Sequence, residues 1–159
     1  MDSTTLYFED FQLGETFRSP SKTITDAHFL FFSGLTGDSH PIHYDDEYAK
    51  STRFGGRVAH GLLLSAMTAA GASSLSPLIE ESIVAFVEQS ARFLQPVLIG
   101  DTIAPALEVS ELIPKRNVGL VRLTSRITNQ RGETVLEGTH AYLVKRRPAN
   151  SDSGVERGA

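Results

Sequence analysis

The sequence predicts an α+β fold in which a strongly curved antiparallel sheet wraps round one buried helix. Three observations carry this. The N-terminal half holds two helical patterns, one crowded with Ala27, Phe29, Leu30, Phe31 and Phe32 and one running through the apolar stretch Leu62 to Ala72. The C-terminal half holds four long strand-like segments, 83–95, 102–113, 118–129 and 133–145, parted by short turn-forming stretches. Connections that short make neighbouring strands antiparallel. A helix that is apolar all round must be covered on most sides, so the sheet has to curl about it.

In chain order, Tyr7 to Gly14 leads in and turns at Gly14, and residues 15–24 read as a strand interrupted at Pro20, because proline lacks the N–H a ladder needs. Thr25 is placed to cap a helix from Asp26 to about Leu35, with Asp26 in the first turn, where a negative charge suits the helix dipole. Gly34 and Gly37 loosen that helix's end. Asp38 to Tyr44 then forms a turning loop rather than more helix, since Pro41 biases His40 away from the helical region. Residues 45–50 form a short amphipathic turn, and 51–57 a loop broken by Gly55 and Gly56. The second helix starts near Ala59 to Gly61 and runs towards Gly71; its alanines, glycines and small hydroxyl residues let a sheet approach closely. Val121, Leu123 and Ile127 alternate with Arg122, Thr124 and Arg126, one dry face and one wet. The last segment is apolar on both faces at Val135-Leu136 and Tyr142 to Val144, which places it centrally or at a subunit contact. Residues 1–147 read as a single domain and 148–159, rich in small and polar residues, as a disordered tail.

Composition narrows the function. At 159 residues, 40% of them hydrophobic, the chain can build one proper core but not two. No apolar run approaches the roughly 20 residues of a membrane span, and no basic-then-apolar leader opens the chain, so the expected location is cytoplasmic. Without cysteine there is no disulfide, thiolate nucleophile or cysteine-held metal. A net charge of −4 argues against nucleic acid, and Lys145-Arg146-Arg147 is expected to be a solvated strand end.

The chemistry concentrates between Asp38 and His43. A carboxylate facing an imidazole is the minimal equipment for moving protons near neutral pH, because the two titrate on opposite sides of it. Asp38 and His43 are therefore the candidate catalytic pair, against the plainer readings of a turn-bracing aspartate and a hydrogen-bonded loop histidine. His40, His43 and His60 suggest metal ligands on paper, but their spacing is loose and no glutamate accompanies them, so no metal is expected.

Gly37-Asp38-Ser39-His40-Pro41-Ile42-His43, followed by Phe54-Gly55-Gly56-Arg57-Val58-Ala59-His60-Gly61, is similar to the MaoC-like family of hot-dog-fold dehydratases, which includes R-specific enoyl-CoA hydratases. The likeness runs from Phe8 to about Lys145 and takes in Arg92 to Val97 and Gly100-Asp101. It implies a hot-dog fold, catalysis by Asp38 and His43, and a backbone N–H at Gly61 receiving the thioester oxygen. His40, His60, Tyr44 and Phe54 become supporting loop or pocket residues. The implied reaction is reversible hydration of a trans-2-enoyl-CoA, or a related enoyl thioester, to the R-3-hydroxyacyl thioester. No cofactor is needed, since coenzyme A arrives as part of the substrate, and the implied partner is a second copy in a homodimer or dimer of dimers. Arg53, Arg57, Lys115 and Arg116 are candidates for the coenzyme A phosphates.

Two positions depart from the family pattern. His40 stands where asparagine is usual, which changes the loop's hydrogen bonds and lends the pocket polarity; Ala69 stands where some members have serine, with Thr68 and Ser65 nearby as substitutes. A hot-dog thioesterase is the first rival, though residues 61–79 carry no Asp or Glu to serve one whose carboxylate sits on the central helix. A non-catalytic acyl-thioester or lipid-binding module is the second.

Overall fold

The computed structural model describes residues 5–148, so all of the tail expected over 148–159 except Pro148 lies outside the described residues. Four long strands form most of one antiparallel sheet: β3 (Ile83–Phe93), β4 (Thr102–Pro114), β5 (Val118–Asn129) and β6 (Thr134–Lys145). Two short strands, β1 (Thr16–Arg18) and β2 (Lys22–Thr23), both pair with β4, and the order across the sheet is β1-β4-β5-β6-β3. The strand interrupted at Pro20 is thus real, its two halves meeting different stretches of one partner. Helix residues Phe29, Leu63 and Leu64 pack with Ile103, Ile127 and Leu136 of the sheet, the α+β arrangement of a hot-dog fold.

Alternation on β5 decides which face is dry: Val121, Leu123, Ser125, Ile127 and Asn129 are buried, with half-exposed neighbours between them. β6 lies between β5 and β3, which explains why it is apolar on both faces. β3 forms one edge of the sheet, and Val84, Phe86, Val87 and Phe93 stand exposed along it.

Helix α1 (Asp26–Thr36) begins after Thr25, as its sequence requires, and His28 Nδ1 accepts from the Thr25 N–H at 3.1 Å. It ends where Gly37 adopts φ 76°, a left-handed conformation that glycine supplies without steric cost. The segment after Gly37 differs from the expectation of an unbroken loop: Pro41–Tyr44 closes one helical turn, α2. Pro41 occupies its first turn, where the missing N–H has no intrahelical partner anyway. Asp45 then caps α3 (Asp46–Ser51) by accepting from Tyr48 N–H at 3.0 Å.

The central helix is shorter than its apolar run suggests. α4 covers only Gly61–Ala66, followed by a separate 3-10 turn at Ala70–Ala72 and a short α5 at Ser76–Ile79. Competition for carbonyls ends α4: Met67 N–H is shared between Leu63 O and Leu64 O, and Thr68 sends its hydroxyl to Ser65 O at 2.7 Å. Nor is it covered all round. Leu63, Leu64 and Ser65 are buried, while Leu62 is 69% exposed and Ala66 and Ala69 are open.

The basic cluster at the end of β6 is exposed, as expected of a solvated strand end, and its two arginines are also ion-paired. Arg146 reaches Glu9 at 2.7 Å, and Arg147 reaches Asp10 and lies over the Tyr7 ring. These contacts pin the two ends of the described chain together. Two buried clusters result, one where Phe8, Phe11 and Phe17 pack on the sheet, and one where Ile24, Phe29, Leu63, Leu64, Val97 and Ile127 meet. The second holds the site.

Candidate active site

Phe29, fully buried on α1, is the wall on which the site stands. The rings of His60, His43 and Tyr44 meet it edge-on, with centroids 5.4, 6.3 and 6.4 Å away. Gly37 turns the chain out of α1 and sets Asp38 beside this cluster, and the turn α2 brings His43 back to it. The outcome is that an Asp38 carboxylate oxygen, a His43 ring nitrogen and a His60 ring nitrogen lie within 4.8 Å of one another. Asp38 is exposed, His43 half-buried and His60 only 3% exposed.

Hydrogen bonds fix the tautomers. His43 Nδ1 sits 2.6 Å from the carbonyl of Val58, which can only accept, so Nδ1 carries a proton and, in the neutral ring, Nε2 is the nitrogen with the lone pair. The Tyr44 hydroxyl lies 3.0 Å from Phe29 O, 3.1 Å from Asp38 O and 3.0 Å from His60 Nε2. Its single proton goes to a carbonyl, and His60 therefore donates from Nε2 to the Tyr44 oxygen. The His60 Nδ1 lone pair is left buried without a partner. Burial holds the His60 pKa below its ordinary value, and the neighbouring His43 pushes the same way. A neutral His60 ring thus lies stacked against His43, centroids 3.7 Å apart and planes 21° from parallel.

This stacking also bears on metal binding. A histidine-bound ion lies in the ring plane at about 2.1 Å from nitrogen. The donor atoms of Asp38, His43 and His60 are close enough together to hold a metal ion, but the stacked rings would have to turn to share one.

His40 behaves as a cap. Its Nδ1 accepts from Ile42 N–H at 3.2 Å, the bond an asparagine oxygen makes at such a position, and its ring packs on Tyr48. It does not line the neighbouring cavity, so the polarity expected from it is not brought there. Thr68 does not replace the serine missing at Ala69: its hydroxyl is committed to Ser65 O and to His140 Nε2, at 2.9 Å.

A cavity of about 370 Å³ opens beside the cluster, lined by Arg53, Phe54, Val58, Gly61, Leu64 and Phe93 among others. Gly61 is the first residue of α4, where the N–H has no intrahelical acceptor. The structure therefore brings Asp38, His43, His60 and Tyr44 into one cluster, places Gly61 and Phe54 on the adjoining cavity, and keeps His40 at the cluster's edge as a loop brace, its N–H donating to Asp38 Oδ1 and its ring edge-on to His43. Sequence reasoning missed Phe93, whose ring atoms lie 3.0 to 3.2 Å from where a Cβ on Gly61 would stand. It missed the Thr68-His140-Tyr142 chain as well, although two polar-tipped residues two apart on a strand share a face. Gly61→Ala is accordingly expected to push Phe93 aside and lower kcat/KM by about 10- to 100-fold. Adding Phe93→Leu should restore part of the loss; no recovery would mean that the space belongs to the ligand and not to Phe93.

Residues 10–131 match the model of the MaoC like domain. The chain belongs to this family. An (R)-specific enoyl-CoA hydratase of Rhodospirillum rubrum is 33% identical over 141 residues, 89% of this chain and 93% of that protein. A 3-hydroxybutyryl-CoA dehydratase of Methylorubrum extorquens is 35% identical over 142 residues, 89% and 86% of the two chains. Among solved structures, a monoamine oxidase regulatory protein from Archaeoglobus superposes with a TM-score of 0.86 at 35% identity, covering 93% of this chain and 99% of its own. As a MaoC-like domain the protein is a hydro-lyase of the hydratase and dehydratase type. None of its described helices is long and apolar enough to cross a membrane.

Proposed function

We propose that the protein hydrates trans-2-enoyl-CoA, or a related enoyl thioester, to the R-3-hydroxyacyl thioester, and catalyses the reverse dehydration. The observation that carries this is that an Asp38 carboxylate oxygen and a His43 ring nitrogen lie within 4.8 Å of each other. A water making two hydrogen bonds of about 2.8 Å at a tetrahedral angle spans about 4.6 Å, so one water bridges such a pair. As its oxygen bonds to C3, one of the two groups takes a water proton and a proton is delivered to C2; the atoms balance and no electrons leave the substrate. The enolate-like charge on the thioester oxygen is received by the Gly61 N–H. No redox or metal cofactor is part of this reading, and a chain without cysteine suits a reducing cytoplasm.

The reading includes a homodimer or dimer of dimers. Its support is the β3 edge, where exposed Val84, Phe86 and Val87 flank unpaired backbone groups, together with the open face of α4 at Leu62. A single-chain mass in light scattering contradicts it. The catalytic test is loss of enoyl absorbance with crotonyl-CoA, followed by chiral analysis of the product. R-3-hydroxybutyryl-CoA is expected; release of free thiol without hydration, or no reaction across an acyl-chain series, overturns the proposal.

A further inference from the structure

The geometry points to Arg53 as the anion-binding residue of the site, engaging a phosphate on the arm that carries the thioester. This rests on the proposed enoyl-thioester substrate and names the part of the molecule that Arg53 reads. Of the residues lining the cavity beside Gly61, Arg53 alone is charged, and the rest of the wall is apolar or neutral, from Phe54 and Val58 to Leu64, Phe93 and Val97. An apolar channel with one uncompensated cation fits a ligand that has a largely neutral body and a negative group. Among the described residues the Arg53 guanidinium has no carboxylate partner. It lies over the Phe54 ring, 4.7 Å from the centroid, which holds its plane while leaving the N–H edges free for a phosphate oxygen pair. With the chain at −4 overall, long-range attraction does not favour an anionic ligand, and a local cation has to do so.

The other basic candidates are occupied or distant. Arg57 is only 14% exposed and is held between Asp26 and Asp46, tying the start of α1 to α3. Lys115 and Arg116 lie past the far end of β4, whose 13 residues span roughly 40 Å at about 3.3 Å each. The cavity is at the other end, where residues 94–97 run towards the start of β4.

Binding of pantetheine, 4′-phosphopantetheine and coenzyme A, measured by calorimetry on wild type, Arg53→Gln and Arg53→Lys, tests this without requiring turnover. Arg53→Gln is expected to weaken the phosphorylated ligands by about tenfold or more relative to pantetheine, and Arg53→Lys to weaken them less, with the difference shrinking in high salt. Equal loss for phosphopantetheine and coenzyme A assigns the 4′-phosphate, which coenzyme A and acyl carrier protein share. Loss for coenzyme A alone assigns the nucleotide end. Unchanged preference for phosphorylated over unphosphorylated ligand in Arg53→Gln overturns the inference. Hydration of crotonyl-pantetheine by wild type judges the reaction separately, because that substrate has no phosphate for Arg53 to meet.

Discussion

Asp38→Asn and His43→Ala should each lower kcat/KM for crotonyl-CoA by about 10²- to 10⁴-fold, the range general acid–base groups supply. The two side chains lie within the span of one bridging water, so on the proposed mechanism they act as a unit. The double variant is therefore expected to be little worse than the poorer single one, since removing either partner already removes the bridged water. His43→Asn tests the tautomer argument further: its amide can still donate to Val58 O but has no titratable lone pair to offer. It should keep the loop in place and remain as inactive as His43→Ala. Circular dichroism at equal concentration separates lost chemistry from lost structure. Single variants within threefold of wild type would remove Asp38 and His43 from the reaction.

Phe29→Ala should cost about 3–5 kcal/mol of stability, the range for truncating a fully buried phenylalanine. Phe29 is 0% exposed and packs in the cluster with Ile24, Leu63, Leu64 and Val97. Its ring is the common edge-on neighbour of His43, Tyr44 and His60, and its carbonyl is one of the acceptors facing the Tyr44 hydroxyl. Cavity formation therefore loosens His43 together with its neighbours Tyr44 and His60. Activity measured at a temperature where the variant is still folded should fall as well, with kcat affected more than KM. Phe29→Leu, which keeps most of the volume, should cost far less. Urea unfolding gives the comparison, and a loss below about 1 kcal/mol for Phe29→Ala would show that the loop, not the wall, holds the site.

Where the information for the fold lies can be traced to particular residues. The four long strands were legible because turn-forming residues separate them and Val121, Leu123 and Ile127 alternate with polar neighbours; these are local signals. Thr25 before α1 and Gly37 after it were legible for the same reason, since capping and a left-handed turn are chosen by one or two residues. The extent of α4 was not. A run apolar from Leu62 to Ala72 continues as helix on propensity alone, and it stops because Thr68 bonds Ser65 O and is met by His140 from a strand 72 residues away.

For the site, the sequence by itself determined the kind of chemistry, a carboxylate and an imidazole brought close by a glycine and a proline. Only the tertiary structure decided how they are held. The Val58 carbonyl sets which His43 nitrogen carries a proton, the neutral His60 ring stacks beside it, and the Phe93 ring crowds the glycine at 61. Tertiary packing also distinguished Arg53 from Arg57, which look alike in sequence, because the second is neutralised by Asp26 from a helix 31 residues earlier. The physical reason is common to all of these: charge pairing, ring stacking and tautomer choice act through space, and chain spacing carries no record of which distant side chain arrives.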